Sequence, residues 1–186
     1  MKATSILAIA AMVLGPALWA VADDYKVKPG ETVLRLAVEG RGDISIKLFT
    51  KEAPKTTKRI IELTRQGFYD GQRFFRVVTS PRPYIAQIGD PQTKTKDIDS
   101  PEIGNGGTGV RIPYEDTKVS NTPFTVGLAT LPKDRDSGDC QFYINLAPNK
   151  FLDGNYTVFG QVVGGTDVVK KLQRGDKVTK AAIIEG

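Results

Sequence analysis

The sequence predicts a mainly β domain: a closed eight-stranded antiparallel barrel capped by two α-helices. Three observations lead there. About eight short runs are rich in aromatic and β-branched residues and are separated by Gly, Pro, Asn and Asp. Only two segments carry helical spacing. The length of 186 residues fits one core with little room for a second.

Thr32 to Val38 and Asp43 to Leu48 alternate apolar with polar residues around Gly40-Arg41-Gly42, the pattern of an antiparallel hairpin. Pro54 to Gln66 follows, with Thr57, Ile60, Ile61 and Thr64 at helical spacing, Pro54 suited to a first turn and Gly67 as a stop. Strand-like runs come next at Phe74 to Val78, Tyr84 to Ile88, Phe124 to Leu131, Gln141 to Leu146 and Thr157 to Val163. A second helix is expected over Asp167 to Gln173, with Thr166 as N-cap and Gly175 beyond its end, before a last strand around Lys177 to Ile184. Closing such a set of strands on itself removes exposed edges.

Between Pro91 and Thr122 lies a stretch without period, rich in Gly, Thr, Asp and Pro, which reads as a functional loop. It contains Gly104-Asn105-Gly106-Gly107-Thr108-Gly109. A phosphate cradle would need a following Gly-Lys-Ser/Thr and a helix start, and neither is present.

At the N-terminus, Lys2 precedes an apolar run from Ile6 to Leu14, and Ala20-Val21-Ala22 offers a small-x-small cleavage site. Residues 1–22 are therefore expected to be a signal peptide cut after Ala22, with the domain over 23–186. The apolar stretch is near the lower limit for a membrane anchor, but Gly15-Pro16 interrupts it. The pattern is bacterial and points to a periplasmic or secreted protein with no stable membrane association after cleavage.

The chain has no histidine and a single cysteine. Ser-His-Asp and Cys-His catalysis, His-rich zinc sites, His-ligated haem and iron-sulfur clusters are thereby excluded. Cys140 has no intrachain disulfide partner, and a buried, inert thiol is its simplest reading. The net charge of +5 is small and scattered, which argues against a nucleic-acid partner. A reaction needing neither nucleophile nor proton shuttle suits such a chain best.

Several segments then stand in a telling order. Ala53-Pro54-Lys55-Thr56-Thr57 is followed by Gly67-Phe68-Tyr69-Asp70-Gly71 and Phe74-Phe75-Arg76-Val77. After these come Gln87-Ile88-Gly89-Asp90-Pro91, Cys140-Gln141-Phe142-Tyr143-Ile144-Asn145, Phe151-Leu152-Asp153-Gly154 and Val158-Phe159-Gly160. Each is weak alone; as an ordered set, spread over most of the chain, they resemble the cyclophilins, the bacterial exported branch in particular.

The resemblance implies a peptidyl-prolyl cis/trans isomerase (rotamase) that assists folding of exported proteins. It implies Arg76 and Gln87 as catalytic residues and Tyr84, Ile85, Ala129, Thr130, Gln141, Tyr143, Phe151, Leu152 and Tyr156 as substrate-binding residues, with no metal and no cofactor. Tyr84 and Tyr143 stand where Phe is usual, Ile85 where Met is common, Thr130 where Asn is common, Phe151 where many members have Trp and Tyr156 where many have His. The implied partners are proline-containing polypeptides, with weak affinity for cyclosporin-type inhibitors because Phe151 lacks the Trp indole N–H. A monomer is expected.

Arginine fits the implied reaction. Amide resonance sets a rotation barrier of roughly 18 to 20 kcal/mol. As the X-Pro bond twists, the prolyl nitrogen regains its lone pair, and a donor aimed there stabilises the twisted state more than the planar one. No covalent intermediate is needed. Arg76 as a rim charge paired with a carboxylate is the plain alternative, as is core packing for Phe151 and Tyr156. Two rival functions are a holdase that grips proline segments without turning them over and a β-barrel carrier of a small apolar ligand. Along Gln141 to Ile144 the residues alternate, but alternation does not say which face is core.

Overall fold

The computed structural model describes residues 25–186; the expected leader 1–22 and its cut after Ala22 lie outside the described residues. Eight strands and two helices follow in the order β1 (Thr32–Val38), β2 (Gly42–Leu48), α1 (Pro54–Arg65), β3 (Arg76–Val77), β4 (Ile85–Ile88), β5 (Thr125–Leu128), β6 (Phe142–Asn145), β7 (Val158–Gly164), α2 (Thr166–Lys170) and β8 (Val178–Glu185). Short 3-10 turns lie at Pro91–Lys94 and Lys150–Leu152. All strand pairs are antiparallel, in the sheet order β3-β4-β6-β5-β7-β2-β1-β8.

That order corrects the expectation of a closed barrel, because β3 and β8 remain edges. The seam between them is bridged by residues just before β3 and residues just before and at the start of β8. Gly71 N–H donates to the Val178 carbonyl (2.7 Å), Val178 N–H to Gln72 (2.8 Å), Phe74 N–H to Asp176 (2.9 Å) and Gly175 N–H to Phe74 (2.8 Å). Phe74 and Phe75 were expected inside a strand. They instead sit at the crossing, where the chain leaves residues 175–178 and Phe75 N–H turns to the Gln87 carbonyl at 3.2 Å. The sheet is thus a half-barrel with a stitched seam.

The core lies on its concave side. Leu34, Leu36, Ile44, Ile46, Phe74, Phe142 and Phe159 are fully buried there, with Phe142 edge-on to both Tyr69 and Phe159. α1 adds Ile60 and Leu63 to this core. Its first residues have no side-chain cap of their own. Glu115 in the long loop supplies one, accepting from Lys55 N–H (2.9 Å), Thr56 N–H (2.8 Å) and the Thr56 hydroxyl (2.7 Å). The second helix is shorter than expected, and its cap is Gly165 rather than Thr166. Gly165 adopts φ 73°, and a Cβ there would lie 2.0 Å from the Asp43 carbonyl oxygen, so no side-chain capper fits.

Candidate active site

Register places the site. Arg76 of β3 pairs with Gln87 of β4, Gln87 with Tyr143 of β6, and Tyr143 with Gly127 of β5. Direct antiparallel partners share a sheet face, so these residues form one row across four strands. The row ends in a glycine for a reason of space: a Cβ on Gly127 would lie 2.4 Å from both Cζ and the hydroxyl of Tyr143. Cys140, Phe142 and Ile144 point into the main core, whereas Ile85, Tyr143 and Leu152 form a second small cluster, packed by Tyr84, Ala129 and Tyr156. That division decides which face of β6 is the site.

One groove of ≈ 850 Å³ runs over this cluster. Of the residues singled out in the sequence, Arg76, Tyr84, Ile85, Gln87, Ala129, Thr130, Gln141, Tyr143, Leu152 and Tyr156 line it. Phe151 does not; it is 69% exposed and stacks on Tyr84 at 5.8 Å between ring centroids. Arg76 is exposed and its side chain forms no ion pair or hydrogen bond among the described residues; its guanidinium carbon lies 5.5 Å from the Tyr84 ring centroid. The carboxylate partner of a plain rim arginine is therefore missing among them. The backbone N–H and carbonyl of Thr130 are likewise unbonded among the described residues.

The groove wall is held by buried amides. The Tyr143 hydroxyl donates to Asn121 Oδ1 at 2.9 Å, and Asn145 Nδ2 donates to the same oxygen at 3.1 Å. Asn121 Nδ2 in turn donates to Asp153 (2.9 Å), and Asn149 Nδ2 to Asn145 Oδ1 (2.8 Å) and the Tyr84 carbonyl (2.9 Å). Burial pushes the Tyr143 hydroxyl well up from its ordinary value. Tyr84 is also raised by burial, with Arg76 opposing, and the Cys140 thiol is pushed up to about 12, chiefly by burial. Cys140 Sγ donates to the Gly89 carbonyl at 3.3 Å, as an inert thiol would. Among the described residues no three His, Cys, Asp or Glu side chains gather as a metal would require.

The far wall is the glycine-rich run, whose contacts the sequence did not reveal. Its N–H groups do not form a vacant cradle, because the chain's own carboxylates fill it. Fully buried Asp90 accepts from Gln92 (2.8 Å), Gly104 (2.5 Å) and Gly106 (3.1 Å), and Asp139 from Thr108 (2.5 Å) and Gly109 (3.1 Å). Gln141 joins this wall to the row, donating to the Gly104 and Gly106 carbonyls while accepting from Gln87 Nε2 at 3.0 Å. Glu115 and Asn121, also in the long loop, were not singled out either. The Gly-rich run and Asp90 were each visible in the sequence, but no local spacing links position 90 to 104 or 121 to 143.

Comparison with known proteins gives a consistent result. The family model described as cyclophilin type peptidyl-prolyl cis-trans isomerase/CLD matches residues 33–185. A Brucella suis protein named as a probable peptidyl-prolyl cis-trans isomerase is 34% identical over 184 residues, covering 96% of this chain and 89% of that protein. A Helicobacter pylori peptidyl-prolyl cis-trans isomerase is 31% identical over 157 residues, covering 82% and 89%. A crystal structure of a Cryptosporidium parvum cyclophilin type isomerase superposes with TM-score 0.71 at 19% identity, covering 84% of this chain and 99% of that one. The same protein crystallised in the presence of the dipeptide Ala-Pro gives 0.66 at 20% identity, covering 83% and 98%. At such identities the solved structures show the fold alone.

Proposed function

This chain belongs to the cyclophilin-type peptidyl-prolyl cis-trans isomerases, and on that premise we propose that Arg76 drives rotation about X-Pro bonds by donating to the prolyl nitrogen as it becomes pyramidal. One observation carries the reading: a guanidinium that rests over the Tyr84 ring, with no ion-pair or hydrogen-bond partner among the described residues, stands on the rim of an apolar pocket. Ile85, Tyr143 and Leu152 would take the proline ring, with Ala129 and Tyr156 at its sides. The unbonded backbone groups of Thr130 suit an extended peptide lying beside it, and Gln87 next to Arg76 suits an orienting role. Arginine stays protonated and its fork is pre-organised, so the donor costs no rearrangement at the moment of twisting.

The reaction moves no proton, and the raised Tyr84, Tyr143 and Cys140 keep their neutral forms from about pH 6 to 9. A protease-coupled assay on a short X-Pro peptide should show turnover that is flat over this range and lost in Arg76→Ala. A holdase would bind the peptide without accelerating its isomerisation. A steep pH profile would point to a titrating group and against this mechanism.

The enzyme would serve proteins folding outside the cytoplasm, in the periplasm or the medium, a reading supported by Lys2, the apolar run and Ala20-Val21-Ala22. N-terminal sequencing of the exported form should begin at Asp23, and an intact Met1 chain in the membrane fraction would overturn it. Cyclosporin-type inhibitors should bind this chain about five-fold to a hundred-fold more tightly after Phe151→Trp, which restores an N–H donor at the groove mouth. Equal affinities in the titration would remove that role for position 151.

A further inference from the structure

If the site works as the isomerase proposed above, the loop at residues 104–106 has a part in it. Gln141 meets this loop through one nitrogen, with Nε2 lying 3.0 Å from the Gly104 carbonyl oxygen and 2.7 Å from that of Gly106. Two carbonyl oxygens can be met only by the NH2 end of an amide, so both Nε2 hydrogens are spent and the orientation of the amide is fixed chemically. Its Oε1 must then face a donor, and Gln87 Nε2 supplies one at 3.0 Å. The same logic sets Gln87. One of its two Nε2 hydrogens goes to Gln141, which turns the nitrogen that way, and its Oε1, which accepts no hydrogen bond among the described residues, is the acceptor left for the groove it shares with Arg76.

The loop cannot choose its carbonyl directions freely, because its other side is anchored. Asp90 is fully buried, and its Oδ2 accepts from the N–H groups of both Gly104 and Gly106. Gly106 is pressed onto that carboxylate: a Cβ there would stand 2.1 Å from Asp90 Oδ1 and 2.8 Å from Gln92 Nε2. Each link in this relay is a short contact between groups of fixed polarity.

We propose that the Gly104–Gly106 loop, anchored by Asp90, is a positioning element for the isomerisation: through Gln141 it holds Gln87 with its oxygen offered to the groove. Asp90 and Gln141 are positioning residues, and Gln141 lines the groove without an amide hydrogen to spare for the substrate. A loosened loop frees both amides to turn over. The NH2 end of Gln87 would then face the groove beside the Arg76 guanidinium, a donor next to a donor.

Asp90→Asn tests this, since it keeps the shape but leaves one acceptor oxygen instead of two for the N–H groups of Gln92, Gly104 and Gly106. By NMR, the side-chain amide protons of Gln141 should exchange with water at least about ten-fold faster than in the wild type, and the Gln87 amide signals should move with them. On an X-Pro peptide kcat should fall about five-fold or more while KM changes little. Combined with Gln141→Ala, the two losses should fall short of additivity, because both cut one relay. Gly106→Ala, which pushes the loop off the carboxylate without altering Asp90 or either glutamine, should act in the same direction and serves if Asp90→Asn does not fold. Unchanged Gln141 exchange, unchanged kcat despite faster exchange, or full additivity would each overturn the proposal. A wild type without isomerase activity would bring down the reading of the site instead, and the exchange data would still say whether Asp90 and the loop hold the two amides.

Discussion

The two halves of the sheet are held by different means. β1, β2, β7 and β8 run seven or eight residues each, and their ladders are long. β3, β4, β5 and β6 run two to four residues, and the segments around them are joined by side chains: Asn145 to the Thr125 carbonyl, Asn149 to Tyr84, Asp90 and Gln141 to the glycine-rich loop. Where a strand ends early, its main-chain groups leave the ladder and need other partners. Some, as at Thr130, remain unbonded beside the groove. Stability should therefore reside in the long half and turnover in the short one.

The sharpest separation should come from a pair of truncations. Ile46→Ala empties a fully buried site in β2 and should cost about 2 to 5 kcal/mol in denaturant unfolding, with kcat/KM per folded molecule nearly unchanged. Arg76→Ala should do the reverse: an unchanged melting temperature, and kcat/KM lower by about ten-fold to more than a hundred-fold, as one charge-assisted hydrogen bond at the transition state implies. Arg76→Lys keeps the charge without the planar fork and should recover part of that rate. Near wild-type turnover in a folded Arg76→Ala protein would remove the distinction between the halves.

Two glycines give a smaller contrast. Gly160 of β7 faces the long half, where an added Cβ would lie 2.9 Å from the Lys47 carbonyl oxygen and 3.0 Å from Ile46 Cγ2. Gly160→Ala should lower stability by about 1 to 3 kcal/mol through overpacking, read by thermal unfolding. Gly127→Ala should instead displace the Tyr143 ring and raise KM for an X-Pro peptide by about five-fold or more, because the apolar pocket changes shape. If both act only on stability, Tyr143 is not part of the substrate pocket.

The smallest effect expected is acidic loosening at the start of β1. The Tyr25 hydroxyl, then Lys47 and the Lys28 N–H, hold the Glu31 carboxyl at about 2, below the ordinary carboxylate range. A depressed carboxyl contributes stability above its unfolded value of about 4.3 and loses that contribution as pH falls toward about 2. Amide exchange around residues 25–31 should rise over this window in the wild type and be largely independent of pH there in Glu31→Gln. Because the contact lies in the long half, groove exchange should not follow it.

The legible parts of the fold were those with a local cause. The hairpin around Gly40 to Gly42, the helix from Pro54 stopped by Gly67 and the strand cores at 85–88, 125–128 and 142–145 each carry their own period or turn residue. Residues 74–75, the cap of α2 and the closure of the barrel were not legible, because each depends on a partner far along the chain: 175–178 for the first, the Asp43 carbonyl for the second, the relative ends of β3 and β8 for the third. At the site, the motifs placed ten of eleven chosen side chains on one groove, and only Phe151 lies outside its lining. Glu115 and Asn121 escaped notice, and Asp90 stood out only as part of a motif, because nothing in their neighbourhoods shows what they bond.

What the sequence by itself determined about this protein is therefore its inventory and its local grammar: the family, the mainly β architecture, the absence of any histidine for proton transfer and the arginine within an apolar run. Tertiary structure alone decided which face of β6 is the site, that Arg76, Gln87 and Tyr143 form a row, and which ends of the Gln87 and Gln141 amides point where. The reason is physical. A strand's period of two says that its faces differ but not which one is buried, and an amide's orientation depends on the carbonyl oxygens that surround it. Here those oxygens come from a loop more than thirty residues away in the chain.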